Sequence, residues 1–285
     1  MNFHGFELPD CAFMQVALVV ILRIAVIQAV TAIAPAFAEP ACLADGAATA
    51  RIKSIDDRLE LVLDDERRIV LVGLEPPMVK LGEAGLAEQA RNRLEVSVAD
   101  RDVRVKLLAT LPDRWGRWPA LVFATGAGEV RDPPVSLAQA LIVEGLARVR
   151  ISPVNPCLHQ FLEAETQARD SGLPLWTDPD TAVIAAGDSE AFVGREGSLV
   201  IVEGQVSGIG TSGYRTWLNF GPNHFRDFSV TILKPNLKIF DKVGLSLQSL
   251  TGQRLRVRGL LDLRFGPQIE IADPAAIELL GAGNR

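Results

Sequence analysis

Residues 136–149, SLAQALIVEGLARV, and residues 161–176, FLEAETQARDSGLPLW, decide how the first half of this chain is read. In the first, Ser136 stands where a helix N-cap belongs and Gly145 where a helix stops, so the spacing predicts a helix over 136–144. In the second, a helix is predicted over 159–169, ending near Gly172 before the apolar run Leu173-Pro174-Leu175-Trp176. Upstream, the pattern changes to short strands separated by charged turns. Strands are predicted at 51–55, 59–63 and 69–72, the last stopped by Pro76 and Pro77, which cannot continue a ladder. A helix over 85–94 puts Leu86, Ala90 and Leu94 on one face. Two more strands, 103–108 and 120–124, flank the turn Asp113-Arg114-Trp115-Gly116-Arg117-Trp118. Strands first, with helices inserted and following, is an α+β order.

Four segments then stand out together: IVLVGLEPP (69–77), DRWGRWPALVF (113–123) and the two runs quoted above. In order and spacing they are similar to the thermonuclease (staphylococcal-nuclease-like) family, over about residues 49–178. The resemblance implies a five-stranded OB barrel with three helices. It also implies phosphodiester hydrolysis with one Ca²⁺: carboxylates hold the ion, a glutamate assists the attacking water, and two arginines grip the phosphate.

Carried over residue by residue, that machinery is incomplete. The second arginine is kept as Arg117, while the first becomes Val70. The metal-binding aspartate after the third strand becomes Glu75, and the glutamate becomes Met78. The aspartate of the first turn is kept as Asp57 in one register and becomes Arg58 in the other. A thioether neither accepts a proton from water nor binds Ca²⁺ well, and valine offers a phosphate no donor. The catalytic candidates are therefore Arg117 and Glu75, with Asp57 and Glu75 as metal ligands only if the site is active. Asp56 and Glu83 complete a possible acidic cluster, and the alternative is that these are solvated turn and helix charges. Trp115 and Trp118 either stack on bases or pack over the barrel end; Arg117 either faces a phosphate or only braces its turn through Asp113. His159 reads as a surface or cap residue.

Residues 181–190 read as a linker, and 191–285 as a mostly β second domain. Strands are predicted at 197–206, 214–220, 228–233, 254–263 and 268–271, the first two pairing as a hairpin across 208–213. A helix is predicted within 237–248. Five strands with a helix between the third and fourth is an OB-like layout. Its binding candidates are Tyr214, Arg215, Trp217, Asn219, His224, Phe225 and Arg226. Arg254, Arg256 and Arg258 alternate and so share one strand face, a basic stripe for nucleic acid or else a solvated edge.

Bulk charge sets limits on these readings. The chain carries a formal net charge of −6, residues 39–180 accounting for −6 and 181–285 for +1. A nucleic-acid binder normally shows a basic face, which neither total displays, so any such binding rests on a local patch.

Residues 15–38 are almost wholly apolar and end in Ala36-Phe37-Ala38, the small-residue pattern of a signal-peptide cleavage site after Ala38. Arg23 interrupts the run, which argues against a membrane span; an N-terminal anchor is the alternative. Translation from Met14 would remove a leader that lacks positive charge. Export to the periplasm or medium leaves Cys42 and Cys157 as an even pair, bonded or as two free thiols. The sequence thus leads to an exported two-domain pseudoenzyme. It binds nucleic acid, including single strands, or a similar polymer weakly, with little or no hydrolysis and no resident cofactor. The alternatives are an active Ca²⁺-dependent phosphodiesterase with an altered site, and a non-enzymatic envelope interaction protein.

Overall fold

The computed structural model describes Met1, Cys42 and residues 44–79, 85–125, 134–223 and 226–281. The expected signal segment after Met1, together with Glu83, His224 and Phe225, lies outside the described residues. Both barrels lie in one compact unit, Ala41–Arg285. Among the described residues no helix is long and apolar enough to cross a membrane.

The first barrel begins with β1 (Ala48–Ile55), β2 (Leu61–Leu63), β3 (Arg68–Leu71) and the short β4 (Leu74–Glu75). Helix α1 (Leu86–Val98) precedes β5 (Asp102–Leu107), β6 (Arg117–Ala124) and β7 (Val135–Ser136). Then come α2 (Leu137–Val143), β8 (Arg148–Val149), α3 (Leu158–Asp170) and the one-turn α4 (Pro174–Thr177). The sheet order is β3-β2-β1-β5-β6, and β3 closes the barrel by pairing parallel with β6. This is the expected five-stranded barrel, with a fourth, very short helix added. Period-two burial drives it: Leu61, Leu63, Ile69 and Leu71 point inward while their neighbours stay at the rim.

Local chemistry places the helices as the sequence implies. Ser136 caps α2, its hydroxyl accepting from Gln139 N at 3.3 Å. Gly145 ends it at φ +65°, and a Cβ there would sit 2.5 Å from Leu173 Cβ, so only glycine lets the segment before α4 approach. Cys157, at the start of α3, is bonded to Cys42 with Cα atoms 5.1 Å apart, fastening the N-terminal segment across a separation of 115 residues.

The second barrel comprises β9 (Ile184–Ala185), β10 (Leu199–Gln205), β11 (Gly208–Thr211), β12 (Arg215–Asn219) and β13 (Ser229–Leu233). After α5 (Leu237–Lys242) come β14 (Arg254–Asp262), β15 (Gln268–Ile271) and β16 (Ile277–Leu280). The order β11-β12-β13-β15-β14-β10 has its ends, β11 and β10, joined through Val206-Ser207. β13 and β15 pair in parallel. With β10 and β11 taken as one bent strand, the winding repeats that of the first barrel, including the parallel closure between third and fifth strands.

Three details differ from the sequence reading. The stretch expected as a hairpin loop, 208–213, is itself mostly strand: β11 pairs with β12 while β10 pairs with β14. Glycines at 208 and 210 lower β propensity, so sequence pattern alone hides this strand. The helix expected within 237–248 stops at Lys242, because Gly244 at φ +73° breaks it, and resumes as a 3₁₀ turn over Leu247–Leu250. Residues 181–190, read as a linker, contain β9, which pairs in parallel with β10.

The two barrels meet along β10 and β14. Val200 and Val202 point into the second core, whereas Ile201, on the opposite face and fully buried, packs with Ala168, Leu175 and Trp176 of the first module. Burying a side chain of that size stabilises by about 1.5–3 kcal/mol.

Candidate functional site

A cleft of about 650 Å³ opens on the closing seam of the first barrel. Its floor is the parallel pair β3–β6, in which Arg68 is the direct partner of Arg117. Both side chains converge on one carboxylate. Glu60, just ahead of β2 and only 3% exposed, accepts from Arg117 Nη1 at 2.7 Å and from Arg68 Nη2. The turn that presents Glu60 is built by Asp56, whose Oδ1 accepts from Arg58 N and Glu60 N, both at 2.9 Å, while Leu59 adopts φ +59°.

Arg117 is fixed from two sides. Its Nε donates to Asp113 Oδ2 at 2.9 Å, and Asp113 Oδ1 also accepts from the backbone of Trp115 and Arg117. The guanidinium therefore both braces the turn and reaches the cleft. Hydrogen bonds to Glu60 and then Asp113 hold it more firmly protonated than an ordinary arginine. Trp115, 58% exposed, lies against Arg114 and Arg117, with ring-centroid distances of 3.9 and 4.8 Å, whereas Trp118 is partly buried against the core. His159 is exposed, with Nδ1 3.5 Å from Glu163 Oε1.

Glu75 also lines the cleft, but its carboxylate accepts from Arg150 Nε at 2.6 Å. Asp57 does not line it: Asp57 turns toward α1 and pairs with Arg91. Met78 is half exposed and does not line the cleft either. The charged lining consists of Arg58, Arg68, Arg117 and Arg150 against Glu60 and Glu75, an excess of two positive charges. Calcium, the ion such a fold leads one to expect, takes six to eight oxygens. Here Glu60, Glu75 and Asp57 are each committed to arginine, and no group of three or more His, Cys, Asp or Glu suited to a metal occurs among the described residues. The donor set does not fit that ion.

Two members of this site escape the residue-by-residue reading. Arg68 lies two residues before Val70 on β3 and so shares its face, restoring a guanidinium where the expected arginine is lost. Glu60 sits between Leu59 and Leu61 and reads as an ordinary strand residue. The signal that could have revealed both is a Glu and an Arg on one face at diagonal positions of a predicted hairpin, Arg68 being registered with Val62, two residues on from Glu60.

The second-barrel stripe is a correction. Arg258 is 2% exposed, with Nη1 2.6 Å from Glu165 Oε2 of α3, Nη1 donating to Val149 O at 3.3 Å and Nη2 to Glu278 Oε1 at 2.6 Å. Arg256 donates to Glu203 and Glu278. Alternation does place the arginines on one face, but the first module covers that face at Arg258, which therefore holds the barrels together. Arg254 remains exposed beside Glu203, and Tyr214 is 83% exposed.

A closed five-stranded barrel with paired arginines on its closing seam defines an OB-type domain whose rim suits an anion. The family model described as staphylococcal nuclease homologue matches residues 68–178, from the first residue of β3 to the end of the α4 segment. Over these residues the chain is similar to staphylococcal-nuclease-type domains. Comparison with curated proteins finds no match.

Proposed function

We propose that the protein is an exported, nuclease-derived phosphate-backbone binder with little or no hydrolytic power. The observation that carries this reading is the Arg68–Glu60–Arg117 cluster. Two guanidiniums face a cleft with surplus positive charge, and the one buried carboxylate between them is engaged by both. Guanidiniums are suited to bidentate contact with phosphate oxygens. A carboxylate locked between two cations has its lone pairs occupied and is poorly placed to take a proton from water. Removing one preorganised electrostatic group already costs about 10²–10³ in rate. Export is supported by the Cys42–Cys157 bond, since such bonds persist in oxidising compartments.

The test is incubation of the protein with plasmid and single-stranded DNA with and without Ca²⁺, alongside binding by fluorescence anisotropy. Salt-sensitive binding that falls with Arg117→Ala, without cleavage, is expected. Robust Ca²⁺-dependent cleavage abolished by Arg117→Ala would overturn the non-hydrolytic part, and absence of binding at low salt would overturn the whole.

A further inference from the structure

One wall of the first cleft is braced by the second barrel. After β8 the chain alternates: Arg150 and Ser152 line the cleft, while Ile151 between them packs against the cores of both barrels. β8 forms a two-stranded sheet with β4, over two registered positions, Leu74 with Val149 and Glu75 with Arg148. A two-stranded ladder of that length does not fix its own geometry in water. What packs behind it therefore sets where Arg150 stands.

The support comes from both barrels. Glu165 Oε1 of α3 accepts from Val149 N at 2.6 Å. Arg258 Nη1 of β14, 109 residues further along the chain, donates to Val149 O at 3.3 Å. The N–H of that same peptide unit belongs to Arg150 and donates to Gly73 O at 3.0 Å. The Val149–Arg150 peptide is thus clamped from the second barrel at its oxygen and from the cleft lining at its N–H. The Arg150 side chain, 49% exposed, then lies along the wall with Nε donating to Glu75 at 2.6 Å. Arg258 itself is 2% exposed and is shut off from any strand in the cleft.

We propose that Arg258 is a positioning residue for phosphate binding in the first cleft: it clamps the Val149–Arg150 peptide so that Arg150 meets a phosphate of the strand that Arg68 and Arg117 engage. A peptide held at both ends does not rotate, and a guanidinium mounted on it gives up less freedom when it meets a phosphate. The inference rests on the phosphate-binding reading above and adds that the binding surface is incomplete without the second barrel.

The experiment titrates a deoxythymidine dodecamer into the full chain, Arg258→Met, Arg150→Ala, Arg117→Ala, and Arg258→Met combined with each of the other two, with a melting curve for every variant. Arg258→Met should lose roughly fivefold or more at low salt, and its slope of log affinity against log salt should fall by about 0.7, the value for one phosphate on a single strand. Adding Arg150→Ala to Arg258→Met should cost nothing further, whereas adding Arg117→Ala should be additive. Should the single change unfold the protein, Glu165→Met with Arg258→Met, which strands no charge, gives the same readout. A folded Arg258→Met that binds as the full chain does would overturn the inference. So would a loss that persists undiminished beside Arg150→Ala, as expected if the strand sits instead in the second barrel's own cleft, lined by Arg215, Trp217 and Asn219. Amide hydrogen exchange without DNA tests the clamp separately: the Val149 and Arg150 amides should exchange faster in Arg258→Met. If the full chain binds no strand at low salt, the phosphate reading falls; unchanged exchange at those two amides would overturn the clamp whatever the binding result.

Discussion

Glu165 on α3 and Arg258 on β14 form an ion pair at 2.6 Å with both side chains 1% exposed or less, and this pair joins the two barrels. Each also holds Val149: Glu165 Oε1 accepts from its amide at 2.6 Å and Arg258 donates to its carbonyl. Desolvating two charges is costly, and such a pair often contributes little net stability, whereas removing one partner strands the other in a dry interior. Arg258→Ala should therefore destabilise by about 3–5 kcal/mol, and the double replacement Glu165→Met with Arg258→Met should recover most of that loss. Denaturant unfolding of the two variants measures this. A mild effect of the single change would mean that water reaches the seam.

The same seam should be acid-sensitive. Burial raises the Glu278 carboxyl, but Arg258 and Arg256 outweigh it and hold Glu278 below the ordinary carboxylate value. A folded-state pKa below the unfolded one gives stability that is complete above the unfolded value, about 4.5, and is lost as pH falls through the lower folded value. Glu278→Gln should lower the melting temperature at pH 7, and the gap to the unmodified protein should narrow as pH falls below about 4.5 and through the lower folded-state value. A gap independent of pH would show that the ion pairs are not its source.

How much of this was legible in the sequence depends on what each signal encodes. Ser136 and Gly145 bracket α2 because capping and left-handed geometry are local, so they could be read without any fold. Strand alternation correctly put Arg254, Arg256 and Arg258 on one face. It could not say that α3 would cover that face, because burial by another module is a tertiary fact. Val70 stands where an arginine is expected, and the guanidinium returns to the cleft from Arg68 only through the strand pleat, which identity at one position does not encode. Glu60 was hidden for the same reason, since only the β3–β6 closure brings Arg117 to it.

The disulfide offers a test of both stability and export. Cys42 is anchored to the start of α3 across 115 residues, a long loop for which the chain-entropy model gives about 5 kcal/mol. Cys42→Ser combined with Cys157→Ser should cost about 2–5 kcal/mol, measured by guanidinium unfolding, and reductant should produce a similar loss in the unmodified protein only. Free-thiol titration of protein taken from the periplasm should find this pair oxidised. Two reactive thiols would remove the main support for an oxidising compartment.

The sharpest test of the phosphate reading is to remove negative charge. Glu60 occupies Arg68 and Arg117 as an internal counter-ion, so a phosphate entering the cleft competes with it. Glu60→Gln keeps the shape of the side chain, releases part of both guanidiniums and raises the positive charge of the cleft by one. Affinity for single-stranded DNA should rise several-fold. The slope of log affinity against log salt should steepen by about 0.7, the value for one more neutralised phosphate on a single strand. Folding should weaken by about 1–3 kcal/mol, because hydrogen bonds to charged groups are exchanged for neutral ones, so a melting curve must accompany the titration. A folded Glu60→Gln variant that binds no more tightly, with an unchanged salt slope, would place phosphate contact elsewhere on the molecule.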